Sequence, residues 1–283
     1  MGTPPQGKQK HSLPGSGLKI RDMKVCWWSA GATSAVAAKL AIEKYNDVEL
    51  FYIGISSAHP DNERFIRDCE NWYGQKINIV SNSKGYADQF EVIEHTGYVN
   101  GPAGARCTLE LKKQVRRELQ EKHNFSNHIM GYEYSPNEIN RAIRFKEQHP
   151  DTNPIFPLIE NKISGEEAHA IVTGAGIELP EMYKLGFQNN NCIGCVKGGK
   201  GYWNNIRVHF PNTFDRMARL EREIGRSCIN EVFLDELNPQ EGILNPIVPG
   251  CGMFCQVEFA HLMDSKVEKI LSGRFQLTKH DQR

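Results

Sequence analysis

The stretch Val25-Cys26-Trp27-Trp28-Ser29-Ala30-Gly31-Ala32-Thr33-Ser34 decides the fold. An apolar run ends in small residues, and Val36, Ala37, Leu40 and Ile42 then recur near helical spacing. This predicts a strand over 19–28, a tight turn over 29–34 and a helix over 33–45. Such a turn presents backbone N–H groups at a helix N-terminus, where the helix dipole favours anions. Gly31 allows close backbone approach, and Ser29, Thr33 and Ser34 add hydroxyls. Together with Ala30 and Ala32 they form a candidate phosphate-binding turn. It holds no lysine and matches neither the Walker nor the dinucleotide glycine pattern. The alternative is a plain strand-to-helix turn whose small residues only cap the helix.

Working outward, Val48 to Ile55 is almost continuously apolar, as suits a parallel strand buried on both faces. Patterning then predicts a helix over 61–73, a strand over 75–80 and a charged helix over 108–122. A strand ending at 128–130, a helix over 136–148 and a short strand over 155–159 follow. Ser164-Gly165-Glu166-Glu167 has the form of a capping box. This alternation predicts an α/β fold with a doubly wound, mostly parallel sheet. Past Pro180 the pattern changes to Asn, Gly and Cys clusters, a helix over 214–224 and a last helix over 257–271. The expected organisation is an arm at 1–18, a nucleotide-binding domain at 19–180 and a Cys-rich α/irregular region at 181–275.

The 283 residues are 39% hydrophobic and 24% charged, and 34 basic residues balance 34 acidic ones. Net charge therefore gives no argument for nucleic-acid or membrane binding. Local charge does cluster, at Lys112, Lys113, Arg116 and Arg117. No apolar run reaches the ~18 residues of a membrane span, and the Pro/Gly/Lys-rich start lacks the apolar core of a secretory signal. A cytoplasmic protein that does not enter the membrane is expected.

Four of the eight cysteines form two close pairs, Cys192/Cys195 and Cys251/Cys255. Paired thiols in a chain without an export signal suit metal binding better than disulfides. An all-sulfur set serves a [4Fe-4S] cluster or Zn²⁺ equally well. Cys107 follows Arg106 and precedes a basic helix with Lys112, a setting that favours thiolate and nucleophilic chemistry. It suits a sulfur carrier, a cluster ligand or a buried structural thiol alike. Ser57, His59 and Asp61 follow the second strand, where open α/β sheets place ligands. His59 and Asp61 suit ribose or Mg²⁺, and Asp61 equally suits capping the next helix. Arg141 and Arg144 share a helix face and could bind phosphate, or pair with Glu138 and Glu147.

Several of these segments together resemble the PAPS-reductase-like, PP-loop ATP-pyrophosphatase family. They are the 29–34 turn, Arg106-Cys107-Thr108 with Leu111-Lys112, and Gly131-Tyr132-Glu133 with Arg141 and Arg144. Cys192 to Lys200, followed by Tyr202-Trp203, completes the likeness, which covers about 20–260. It implies an adenine nucleotide alpha hydrolase-like fold binding ATP and Mg²⁺, with Gly131 and Glu133 at the nucleotide. It also implies ATP-dependent sulfur transfer: an acceptor is adenylylated, and persulfide sulfur from a cysteine desulfurase displaces AMP. The implied acceptor is nucleic acid, a DNA backbone phosphate or a tRNA base. Reductases of this family carry a C-terminal Glu-Cys-Gly-Leu-His motif, and here no cysteine follows Cys255. PAPS reduction with thioredoxin is therefore the alternative, and a non-catalytic nucleotide-binding module with structural zinc is a third reading.

Overall fold

The computed structural model describes residues 23–100 and 104–242. Four strands, β1 (Lys24–Trp28), β2 (Val48–Ile53), β3 (Ile77–Val80) and β4 (Asn127–Met130), form one sheet in the order β3-β2-β1-β4. Every pairing is parallel, with Lys24 opposite Val48 on one side and Asn127 on the other. The two-residue period of a strand splits the apolar run. Cys26, Trp28, Leu50 and Tyr52 face α1 (Ala32–Lys44) and α2 (Asn62–Tyr73), packing with Val36, Phe65 and Cys69. Val25 and Phe51 face the other way, against Val115 and Leu119. Both faces are covered, as the continuous apolar pattern requires. Fully burying a side chain such as Phe65 or Leu50 contributes about 1.5–3 kcal/mol.

After α3 (Gln89–Thr96), α4 (Arg106–Thr108) runs through a π turn, Leu109–Lys113, into α5 (Gln114–Lys122). Beyond the sheet come α6 (Pro136–Gln148), α7 (Pro157–Glu160), α8 (Gly165–Gly174), α9 (Glu181–Lys184), α10 (Lys200–His209) and α11 (Pro211–Ile224). The expected capping box is formed by Ser164 and Glu167, and opens α8. α10 and α11 bury Trp203, Ile206 and Met217 against Phe90 and Ile93 of α3, making a second core beside the sheet.

The doubly wound parallel fold is therefore present, with some corrections. The expected strand over 155–159 is a single bridge from Ile155 to Ile129, because Pro157 opens a helical turn instead. Two helices without expectation, α3 and α10, build the second core together with α11, which covers the expected 214–224 helix. The 1–18 arm, the 257–271 helix and the end of the Cys-rich region lie outside the described residues. Among the described residues, no helix is long and apolar enough to cross a membrane.

Candidate active site

Strand order reverses at β1, since β2 lies on one side of it and β4 on the other. Open parallel sheets bind ligands in the crevice at such a point, beyond the strands' C-terminal ends. The 29–34 turn stands there. Ala30 adopts a left-handed φ of 61°, a conformation an L-residue reaches only under constraint. The Ser29 N–H and hydroxyl both donate to the Ser34 hydroxyl at 3.1 Å, which itself donates to the Gly31 carbonyl at 2.8 Å. The Asn190 side chain donates to the Ala30 carbonyl and to Asn62 Oδ1, both at 2.7 Å. The Ala32 N–H donates to the Tyr183 phenol at 3.2 Å. Ser29 is exposed and Thr33 half-buried, while Ala30, Gly31, Ala32 and Ser34 are buried.

A cavity of about 230 Å³ opens beside Ser29, over the ends of β1, β2 and β4. Its wall is aromatic, from Trp27, Trp28, Phe51 and Tyr52. Opposite stand Lys112, Lys113 and Arg116, brought to the cavity by the π turn and the start of α5. π turns recur at functional sites, because the extra residue redirects side chains without ending the helix. The Arg116 Nε is buried without a hydrogen-bond partner, and burial lowers the guanidinium's pKa. Asn190 and Cys192 complete the lining, and Asn190 Oδ1 is also buried and unpartnered. An apolar slot with one cationic wall and an orphaned donor and acceptor suits a planar base carrying an anionic group.

Cys192 and Cys195 flank a turn that Gly194 makes possible with φ of 80°. The Tyr202 hydroxyl donates to the Cys192 carbonyl at 2.9 Å and accepts the Cys195 N–H at 2.8 Å. The Ile193 N–H donates to the Ser57 carbonyl at 2.8 Å, which fixes the turn against the loop that follows β2. Cys107 packs into the second core with Ile193 and Cys228. Burial, then the neighbouring Cys195 and Cys192, pushes its thiol up to about 11, with Lys197 and Lys112 opposing. The thiolate-favouring setting expected at Cys107 is thus reversed by desolvation. Arg106 turns to Glu110 at 2.7 Å, a buried carboxylate that also takes Lys84 at 2.7 Å. Cys192, Cys195 and Cys107 are free thiols, and Cys251 and Cys255 lie outside the described residues. Among the described residues, no three His, Cys, Asp or Glu side chains are grouped to hold a metal ion.

The remaining expected residues take other positions. Both Asp61 oxygens are held by Arg64, at 2.7 and 2.8 Å, and one also accepts the Glu181 N–H at 2.9 Å. The Arg64 hydrogen bonds keep the Asp61 carboxyl below the usual range. His59 Nδ1 accepts the Asp61 N–H at 3.1 Å, and its ring meets Phe210 edge-on. Both residues join α2 to the segments beyond it. Glu133 is half-buried, its pKa raised first by burial, and it packs where a side chain on Gly165 would clash. Gly131 backs directly onto Ser34. Arg141 pairs with Glu138 at 3.1 Å and lies over the Tyr132 ring, while Arg144 is exposed on the same helix. Of the expected set, Ser29, Lys112 and Cys192 line the cavity. The aromatic wall, Arg116, Tyr183 and Asn190 carried no spacing signal. Lys113 and Arg116 had stood out only as charge.

The phosphoadenosine phosphosulfate reductase domain family matches residues 24–200, which span the sheet, the cavity and the Cys192–Cys195 turn. The chain belongs to that family. As a PAPS reductase domain protein it carries a fold associated with nucleotide-linked sulfur chemistry. Two solved structures are similar to it. The crystal structure of phosphoadenylyl-sulfate (PAPS) reductase from Candida auris, a phosphate complex, is 17% identical, with a TM-score of 0.42 over 58% of this chain and 79% of that one. The U34-tRNA thiolase NcsA from Methanococcus maripaludis, with its [4Fe-4S] cluster, is 14% identical, with a TM-score of 0.35 over 78% of this chain and 82% of that one. No curated protein matches the sequence.

Proposed function

We propose that the chain is an ATP pyrophosphatase that activates an acceptor for sulfur transfer. One observation carries this reading: Cys192 lines the same cavity as Ser29, Lys112 and Arg116. A nucleotide with its base against Trp28 and Tyr52 would present its phosphates, with Mg²⁺, to the 29–34 turn and the cationic wall. Lys112, Lys113 and Arg116 would neutralise charge as the acceptor oxygen attacks the α-phosphorus and pyrophosphate leaves. Persulfide sulfur from a cysteine desulfurase then attacks the adenylylated centre, and AMP departs with its oxygen. A second thiol splits the remaining S–S bond and is itself oxidised to a disulfide. Nucleic acid is the acceptor this reading favours, held through its phosphates by exposed cations such as Arg117 and Arg144.

The cysteines fit a sulfur-liganded centre. Cys192 and Cys195 would supply two ligands from one glycine turn, with Cys251 and Cys255, or Cys107, supplying the others. A bound cluster would contribute an iron able to hold sulfur, whereas zinc would only brace the turn. A second reading, PAPS reduction, has the family match in its favour.

Incubation with Mg-ATP, a desulfurase, cysteine and either tRNA or DNA tests the proposal. AMP and pyrophosphate formation that depends on the acceptor is expected, and Lys112→Ala should reduce it. Sulfite release from PAPS with thioredoxin would replace this reading by the second. Nucleotide binding with neither reaction would leave a non-catalytic module.

A further inference from the structure

The 29–34 turn does not present all its donors freely. Ala32 begins α1, so its N–H is among the orphan donors that an anion at a helix N-terminus would use. In the structure that N–H is taken by Tyr183, 151 residues further along the chain. The phenol oxygen lies over the turn, since a Cβ built on Gly31 would stand 3.2 Å from it. The Asn190 backbone also approaches the same phenol. The Asn190 side chain reaches the next carbonyl of the turn, that of Ala30, at 2.7 Å. Two residues later comes Cys192, on the cavity wall.

We infer that Tyr183 and Asn190 form a latch over the turn, which a nucleotide phosphate opens by displacing the phenol, so that nucleotide binding is transmitted to the 188–191 segment leading into Cys192. The inference rests on the nucleotide reading of the cavity given above.

Three features make this contact releasable. The neutral phenol holds the Ala32 N–H at 3.2 Å, a long bond, whereas a phosphate oxygen would make a charge-assisted and stronger one. Tyr183 sits on the four-residue helix α9, which ends at Lys184, and Gly186 just beyond it has a φ of 82°. Between Gly186 and Cys192, Gln188, Asn189 and Asn191 are exposed, and only Phe187 is buried. The anchors at either end, Met182 and the Cys192–Cys195 turn, are firm. What can move is therefore the Tyr183 side chain and the 188–191 backbone. Coupling of this kind is reciprocal, so any change that loosens the segment also tightens nucleotide binding.

The test uses the full chain, purified anaerobically, with Mg-ATP as the probe. Calorimetry gives the affinities of the wild type and Tyr183→Phe, and hydrogen exchange read by mass spectrometry follows the 186–191 peptide. Tyr183→Phe frees the Ala32 N–H and should bind ATP about 3- to 10-fold more tightly, the worth of one ordinary hydrogen bond. In the wild type, ATP should speed exchange in 186–191 as the segment loses its hold on the turn. In the variant, exchange there should be fast already and unaffected by ATP. Equal or weaker ATP binding by a folded Tyr183→Phe protein would make the phenol a nucleotide ligand or a bystander and overturn the latch. So would slower or unchanged 186–191 exchange when the wild type binds ATP, a measurement that needs no variant. No ATP binding by the wild type would remove the nucleotide reading and the latch together.

Discussion

A Cβ on Gly131 would stand 2.7 Å from the Cα of Ser34 and 2.9 Å from its nitrogen. The end of β4 and the first turn of α1 thus touch backbone to backbone, and the position of the candidate phosphate turn depends on that approach.

Gly131→Ala should therefore force the two elements apart. Overpacking of this kind costs about 1–3 kcal/mol, which urea unfolding would register as a lower midpoint. A midpoint equal to the wild type would mean that β4 and α1 separate without cost.

The cavity wall should also respond to pH. Trp27 Nε1 donates to His128 Nδ1 at 3.0 Å, an acceptor only the neutral ring offers. Burial first, then Arg116, pushes the His128 pKa from its ordinary 6.5 down to about 4. Between those values the unfolded chain binds a proton that the folded one refuses. The stabilisation is thus fully present above pH 6.5 and is lost as pH falls through 4. The gap corresponds to on the order of 3 kcal/mol. Unfolding free energies should fall more steeply over this range for the wild type than for His128→Gln, and parallel curves would show that this ring does not titrate there.

Tyr202→Phe removes both hydrogen bonds that close the Cys192–Cys195 turn. Stability should drop by about 1–3 kcal/mol, the cost of an unpaired buried group. Iron or zinc per chain after anaerobic purification should fall with it. Undiminished metal content would separate this turn from metal binding.

The sheet was legible because burial on both faces writes long apolar runs, as at Val48 to Ile55. Ile155 to Ile159 looked like another such run, but a proline at 157 offers no N–H to a ladder and starts a helix. α3 escaped because it is eight residues long and its buried side chains contact a partner core far along the chain. The turn and the Cys192–Cys195 spacing could be read because their chemistry is local. Tyr183 and Asn190 could not, since their roles arise from contacts with residues 151 and 160 positions away. At Cys107 the local charges pointed one way and desolvation, which only the fold reveals, prevailed.

The strand order also sets a sequence in time. Lys24 pairs with Val48, 24 residues on, and with Asn127, 103 residues on. Closing the longer loop costs about 1.2 kcal/mol more in chain entropy, two doublings of length. The β1–α1–β2 crossover is therefore the cheaper early contact, and docking of β4 comes after it. Met130 on β4 and Trp27 on β1 both line the cavity. The cavity thus needs the late strand, and then Asn190 and Cys192 from still further along, so a chain emerging from the ribosome has no complete pocket until Cys192 has left it.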